Sequence, residues 1–191
     1  MPRNNEVSDE EYQDMLRQLS ELPGAKDVGM LRLDTRMPDL FESETRSVRL
    51  GSSRGCLPAG NYTFLEFYCN DPKCDCRRVV LQVREDSDPE TLIACINFGW
   101  ERLAFYKKWM RGNLENAKLV KGGDLDPSGP RDERARAVLN LFKELLMPDE
   151  AYVKRLGTHY RKFKGSVLKE QPSSSRWARR PGGGGRRRRL R

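Results

Sequence analysis

The chain has 191 residues, of which 37% are hydrophobic and 34% are charged, and its formal net charge is +8. This length allows one domain of ordinary size with tails, and no run of about 18 apolar residues exists that could span a membrane. The polar N-terminus carries no apolar segment, so we expect no secretory signal peptide and a cytosolic protein whose thiols stay reduced.

The first 23 residues predict a short amphipathic helix. Ser8 and Glu11 form a capping box, apolar side chains then recur at helical spacing, and Pro23 ends the segment. We expect a helix over about residues 9–21 that packs on the core of this chain or binds a protein partner.

The next segment, residues 24–56, contains several glycines and a proline and few regular apolar patterns. It is expected to be a loosely structured linker with one short strand at about residues 47–50, where polar and apolar residues alternate.

Residues 57–165 carry the signals of a folded domain. Three strands are predicted over about residues 62–68, 79–83 and 92–98, and three helices over about 100–110, 131–147 and 149–164. Strands come early and helices late, which is typical of the α+β class rather than of parallel βαβ units. We therefore expect a small antiparallel sheet packed with C-terminal helices.

Three of the five cysteines, Cys69, Cys74 and Cys76, lie within eight residues at C-x4-C-x-C spacing. In a reducing compartment this clustering favours metal or thiol chemistry over a disulfide framework. Zinc prefers sulfur and imidazole ligands in a tetrahedron, and a turn between two strands can direct several thiolates to one point. The sequence therefore predicts a structural zinc site formed by these three thiols.

The predicted fourth ligand is His159, the single histidine, which lies on the apolar stripe of the last helix. A hydrogen-bonded core histidine explains that position equally well, and Cys56 is a weaker candidate for the fourth ligand. Cys95, inside an apolar strand, is most simply a core residue. An enzyme that uses the same cysteines, either with zinc or as reactive thiols, is the alternative function.

Residues 166–191 turn to serine, glycine and arginine and predict a disordered basic tail. Of the 36 lysines and arginines, eight lie from Arg176 onward, where there is no acid, so the rest of the chain balances its 28 acidic residues. Arginines bind phosphates and tryptophan stacks on exposed bases, so the composition of this segment predicts that it attaches the protein to RNA or DNA. A solvated tail without a binding role is the alternative. The candidate nucleic-acid-binding residues are Arg176, Trp177, Arg179, Arg180, Arg186, Arg187, Arg188, Arg189 and Arg191.

The stretch from Tyr68 to Arg78, Y-C-N-D-P-K-C-D-C-R-R, resembles a family of uncharacterised bacterial proteins that share a Y-C-x-D-P-x-C-D-C-R-R core. Ile96-Asn97-Phe98-Gly99-Trp100-Glu101 and His159-Tyr160 extend the resemblance, which covers residues 57–164. It implies a bacterial, cytosolic setting and brings no activity. The combined prediction is a non-catalytic, zinc-binding cytosolic protein that the tail attaches to nucleic acid or a ribonucleoprotein.

Overall fold

A computed structural model of the protein describes residues 29–170, so the predicted N-terminal helix and the arginine-rich tail lie outside the described residues. The strands are β1 (Met30–Arg32), β2 (Arg46–Leu50), β3 (Gly60–Cys69), β4 (Arg78–Glu85), β5 (Ala94–Gly99) and β6 (Asp124–Leu125). The helices are α1 (Pro38–Glu44), α2 (Leu103–Trp109), α3 (Leu114–Gly122), α4 (Glu133–Leu141) and α5 (Glu150–Lys169), with a π-helical turn (Phe142–Leu146) after α4.

The six strands form one antiparallel sheet in the order β1-β3-β4-β5-β6. Strand β2 also pairs with β3, so β1 and β2 share one edge of that strand, β2 along its first half and β1 along its last residues. Helices account for most of the second half of the chain, which confirms the predicted α+β class with a small antiparallel sheet and C-terminal helices.

The alternation of β3 determines which face of the sheet meets the helices. Tyr62, Phe64, Glu66 and Tyr68 are buried, whereas the residues between them are half-buried. Because successive strand side chains point to opposite faces, these four share the face that packs against the helical layer. The ring of Tyr68 lies 5.6 Å from that of Phe163 on α5, so β3 and the last helix are in direct contact.

The two C-terminal helices begin at aspartate caps. The side chain of Asp132 accepts a hydrogen bond from the backbone N–H of Ala135 at the start of α4, and Asp149 accepts one from Tyr152 at the start of α5. Each cap satisfies a backbone donor that the first helical turn would otherwise leave unpaired. Helix α5 continues to Lys169, beyond the predicted boundary at residue 165.

The segment expected to be a loosely structured linker, residues 24–56, is more ordered than predicted over its described part. It contributes β1, α1 and β2, and both strands pair with β3. Strand β2 is the short strand predicted at about residues 47–50. Strand β1 and helix α1 were not predicted, and the hydrogen bonds of β1 come from distant residues, so the local sequence pattern carries little sign of it. Helix α3 and strand β6 are likewise absent from the sequence prediction.

Within residues 29–170, none of the helices combines the length and the apolar character that crossing a membrane requires.

Candidate metal centre

The loop that joins β3 to β4 carries the three clustered cysteines. It turns at Asp71-Pro72-Lys73-Cys74, where the backbone N–H of Cys74 donates to the carbonyl oxygen of Asp71 over 3.1 Å. The Asp71 carboxylate also accepts a hydrogen bond from the N–H of Lys73, at 2.8 Å. Proline presets the backbone for the second position of such a turn, and the aspartate side chain braces it. The turn brings Cys74 back towards Cys69.

The sulfur atoms of Cys69, Cys74 and Cys76 all lie within 4.8 Å of one another. Cys76 is buried, whereas Cys69 and Cys74 are half-buried. A tetrahedral ion with metal–sulfur bonds of about 2.3 Å holds neighbouring sulfurs about 3.8 Å apart, so binding needs a contraction of about 1 Å at most. The three cysteines that the sequence groups together therefore form a cluster that could bind a metal ion.

The thiols have unequal pKa values. The pKa of Cys69 is lowered to about 5, mainly because the Cys76 thiol donates a hydrogen bond to its sulfur, while burial acts in the opposite direction. That same hydrogen bond raises the pKa of Cys76, and burial raises it further. Burial is also the main reason why the pKa of Cys74 is raised, with the neighbouring charge of Cys69 adding to it. One thiolate is thus held by two protonated neighbours, and a cation would take the place of their protons.

Two side chains of α5 attach this loop to the helix. The ammonium of Lys164, which is 9% exposed, donates a hydrogen bond to the backbone oxygen of Asp71. The hydroxyl of Tyr160 donates to the carboxylate of Asp75, at 3.2 Å. The positive charge of Lys164 also favours the thiolate forms of Cys69 and Cys74. Lys164 was not predicted as a functional residue, although a lysine on the buried stripe of an amphipathic helix is a signal of a polar partner.

The loop leaves the cluster through a strained residue. Arg77 has a φ of 45°, in the left-handed region that a non-glycine residue seldom adopts. Its carbonyl oxygen accepts a hydrogen bond of 2.6 Å from the hydroxyl of Tyr106 on α2, and its guanidinium pairs with Asp75 and Glu101. The ring of Tyr106 sits against Gly99, where an added Cβ would lie 2.3 Å from it. These contacts fix the backbone directly after Cys76.

The structure does not bring His159 to the cysteine cluster, in contrast to its predicted role as the fourth ligand. Its Nδ1 lies 2.7 Å from a carboxylate oxygen of Glu66 on β3, and its Nε2 lies 3.2 Å from one of Glu44 on α1. Both nitrogens therefore face carboxylate oxygens rather than the cysteine sulfurs. The alternative interpretation of His159, a hydrogen-bonded core histidine, agrees with these contacts.

Glu66 is the centre of a buried polar network. It is 2% exposed, and in addition to His159 it accepts a hydrogen bond of 2.7 Å from the hydroxyl of Tyr68. The side chain of Glu44 is 35% exposed and has Arg155 at 3.9 Å, so the network reaches the surface there. The sequence carries a signal for Glu66, because this acid interrupts the apolar residues at the buried positions of β3, but Glu66 was not predicted as part of a polar network.

The other two cysteines lie apart from the cluster. Cys56 is close enough to Tyr62 for its charge to influence that hydroxyl, and Tyr62 is seven residues before Cys69 along β3. Cys95 lies on β5 opposite Gln82, with its side chain against Gly129. The weaker candidate for the fourth ligand, Cys56, is therefore not adjacent to the three thiols, and Cys95 is a buried residue as expected.

A surface cavity of about 500 Å³ is lined by Asn97, Val120, Leu125 and Arg136 among others, and none of the cysteines lines it. The cysteine cluster is a compact group of ligand atoms at the end of β3 and in the loop that follows. The tail residues from Arg176 to Arg191, predicted to bind nucleic acid, lie outside the described residues.

Comparison of the chain with protein-family models, with curated proteins and with solved structures finds no match. The resemblance to bacterial proteins with the Y-C-x-D-P-x-C-D-C-R-R core stays a prediction.

Proposed function

We propose that the protein binds one zinc ion through the thiolates of Cys69, Cys74 and Cys76, and that this ion stabilises the fold. The observation that carries the proposal is the convergence of the three sulfur atoms to within 4.8 Å in one loop. Thiolates select soft and borderline ions, and zinc among them has no redox chemistry that would oxidise its ligands. The proposal implies a reducing compartment such as the cytosol, because an oxidising one would favour disulfides.

The stabilising role is supported by the position of the loop. Residues 70–77 contain no helix or strand, yet they lie between the sheet and α5, where Lys164 and Tyr160 contact them. A bound ion would cross-link this loop in the folded state, and the free energy of binding adds to the free energy of folding because the unfolded chain has no preformed site. Removing the ion is therefore expected to lower the melting temperature.

Metal analysis of the purified full chain tests the proposal. We expect one zinc ion per chain after purification under reducing conditions, and a lower melting temperature after chelation. Cys74→Ser is expected to lose the ion, because serine replaces a thiolate with a weak oxygen donor. Cys56→Ser is the matched control and is expected to keep one zinc per chain, since Cys56 lies beside Tyr62 and not in the cluster.

Two results would overturn this function. One is wild-type protein that takes up no zinc when one equivalent is added under reducing conditions. The other is a Cys74→Ser variant with the same zinc content and the same response to chelation as the wild type.

We further propose that residues 176–191 attach this domain to nucleic acid. The supporting observation is in the sequence: the segment carries eight arginines, no acid and one tryptophan, Trp177. Arginine side chains bind phosphates, and an indole ring stacks on an unpaired base, so the expected binding tolerates any sequence. The four consecutive glycines at 182–185 separate the arginines of 176–180 from those of 186–191, so each group is expected to contact nucleic acid independently.

Binding of single-stranded RNA and DNA oligonucleotides, measured by fluorescence anisotropy at several salt concentrations, tests the tail. The full chain is expected to lose affinity as salt rises, and deletion of residues 176–191 is expected to remove binding without changing the melting temperature. Replacing Arg186, Arg187, Arg188 and Arg189 with lysine should preserve the salt dependence, whereas serine at these positions should reduce it. Equal affinity of the full and the shortened chain would refute this part of the proposal.

A further inference from the structure

The soft ligands available in the chain are few. The 191 residues contain five cysteines and one histidine. Three of the cysteines form the cluster, and the histidine, His159, faces the carboxylates of Glu66 and Glu44 with its two nitrogens. Cys56 and Cys95 are the two thiols left as further donors.

Neither of these thiols can reach the cluster. Cys56 lies near Tyr62, and the seven residues from Tyr62 to Cys69 span about 23 Å of extended strand. Cys95 is inside β5 and is packed tightly, since its sulfur lies 2.9 Å from the point where a side chain at Gly129 would begin. Moving either one to the metal would require the sheet to come apart.

The nearest carboxylates are engaged elsewhere. Asp75 pairs with Arg77 at 2.9 Å and accepts a hydrogen bond from Tyr160, and Asp71 accepts one from the N–H of Lys73. Among residues 29–170, the group of converging ligand atoms consists of the three cysteines alone. Zinc completes a tetrahedron, so the three ligands that the described residues supply leave one position to a further donor, and the sequence holds no other cysteine or histidine that could take it.

The surroundings favour an anion at that position. Cys74 is half-buried, so the ion would meet solvent on the side of this residue. Zinc with three thiolates carries a formal charge of about −1, and one more thiolate makes it about −2. Lys164 lies against the loop through its bond to Asp71, and Arg78 is close enough to act on the charge of Cys76. These cations offset the added charge.

We propose that the zinc ion, whose binding is itself the proposed function above, takes a low-molecular-weight thiol as its fourth ligand in exchange for water. The metal–oxygen bond to the water breaks, the metal–sulfur bond forms, and the proton of the thiol passes to solvent. The half-exposed cluster thereby becomes a site that binds small thiols through the metal. Lys164 is a positioning residue, because it holds the loop and supplies a positive charge without contacting the metal.

Cobalt substitution of the full chain tests the exchange. Co²⁺ replaces zinc and reports the number of sulfur ligands in its visible and near-ultraviolet absorption. We expect that 2-mercaptoethanol raises the sulfur-to-cobalt charge-transfer absorption by about one third, because four sulfurs replace three, and that the change saturates at one thiol per cobalt. Ethylene glycol, in which a hydroxyl replaces the thiol of 2-mercaptoethanol, is the control and should leave the spectrum unchanged.

The outcomes separate this inference from the proposed function. Cobalt that binds with sulfur ligands but shows no response to saturating thiol would overturn the inference alone, and so would removal of cobalt by the thiol. A chain that binds no cobalt through its cysteines would overturn the proposed function itself.

A Lys164→Met variant should bind the thiol several-fold more weakly, whereas Lys164→Arg should retain most of the affinity. Equal thiol affinity in a folded Lys164→Met chain would refute the role given to Lys164.

Discussion

Replacing His159 with leucine separates a role in the buried polar network from a role as metal ligand. His159 is 1% exposed and Glu66 is 2% exposed, and their nitrogen and oxygen atoms lie 2.7 Å apart. In the variant, Glu66 keeps only the hydroxyl of Tyr68 as a donor. Removing one partner of a buried pair costs about 3–5 kcal/mol, because the remaining charge is left in a medium that solvates it poorly. We expect a loss in this range for His159→Leu, with the metal content unchanged.

Equilibrium unfolding in urea measures this cost, together with elemental analysis of the same samples. The double variant Glu66→Leu/His159→Leu should recover most of the lost free energy of unfolding, since no buried charge is left without a partner. Lys162→Ala is the matched control on the same helix, because Lys162 is exposed, and it should change the free energy of unfolding by less than about 0.5 kcal/mol.

A loss of less than about 1 kcal/mol in the free energy of unfolding of His159→Leu would refute this role, since the pair would then contribute no more than an ion pair on the surface. Loss of zinc from His159→Leu, with zinc retained in Lys162→Ala, would also refute it and would support His159 as a metal ligand.

Two further predictions follow from the packing of single residues. Gly99→Ala should destabilise the fold by about 1–3 kcal/mol, because its Cβ would lie 2.3 Å from the ring of Tyr106. It should also weaken metal binding in competition with a chelator, since the hydroxyl of Tyr106 holds the carbonyl of Arg77 beside the cluster. An unchanged unfolding midpoint would contradict this. Burial raises the pKa of Cys95 to about 11 from an ordinary value of 9.0, so the protonated thiol is favoured in the folded state. Its stabilising contribution is therefore full below about pH 9 and is lost as the pH rises to about 11, by up to about 3 kcal/mol. Urea midpoints at pH 8–11 should fall less steeply in Cys95→Ala than in the wild type, and equal slopes would refute the assignment.

The parts of the fold that were predictable rest on local patterns. Strands β3, β4 and β5 follow from runs of aromatic and β-branched residues, and α4 and α5 from apolar stripes of helical period. The convergence of the cysteines was predictable for the same reason, since Cys69 and Cys76 are seven residues apart and a proline turn lies between them.

The position of His159 was not predictable, because it depends on how far α5 is shifted along the sheet. The apolar stripe places the histidine on the inner face of the helix but does not say which strand residue lies opposite. In the structure that residue is Glu66, and Lys164, about 7.5 Å further along the helix axis, contacts the cysteine loop instead. A shift of the helix by about one and a half turns would bring His159 to the level of the cysteine loop.

Of residues 29–56, only strand β2 was predicted, at about residues 47–50, because polar and apolar residues alternate there. Strand β1 has three residues and none of them is buried, so it does not stand out from its neighbours. The backbone groups of β1 and β2 pair with residues of β3 that lie 10 to 39 positions later in the chain. Pairing of this kind depends on the partner strand rather than on the intrinsic preference of the segment.

The two outer margins of the sheet have a consequence for behaviour at high concentration. On one side the last strand, β6, has two residues, and on the other β1 has three and β2 exposes two arginines, Arg46 and Arg49. A neighbouring molecule can extend a sheet only where a long row of unpaired amides is accessible, and like charges repel it as it approaches. The described part of the sheet therefore offers few positions at which fibrous aggregation could start.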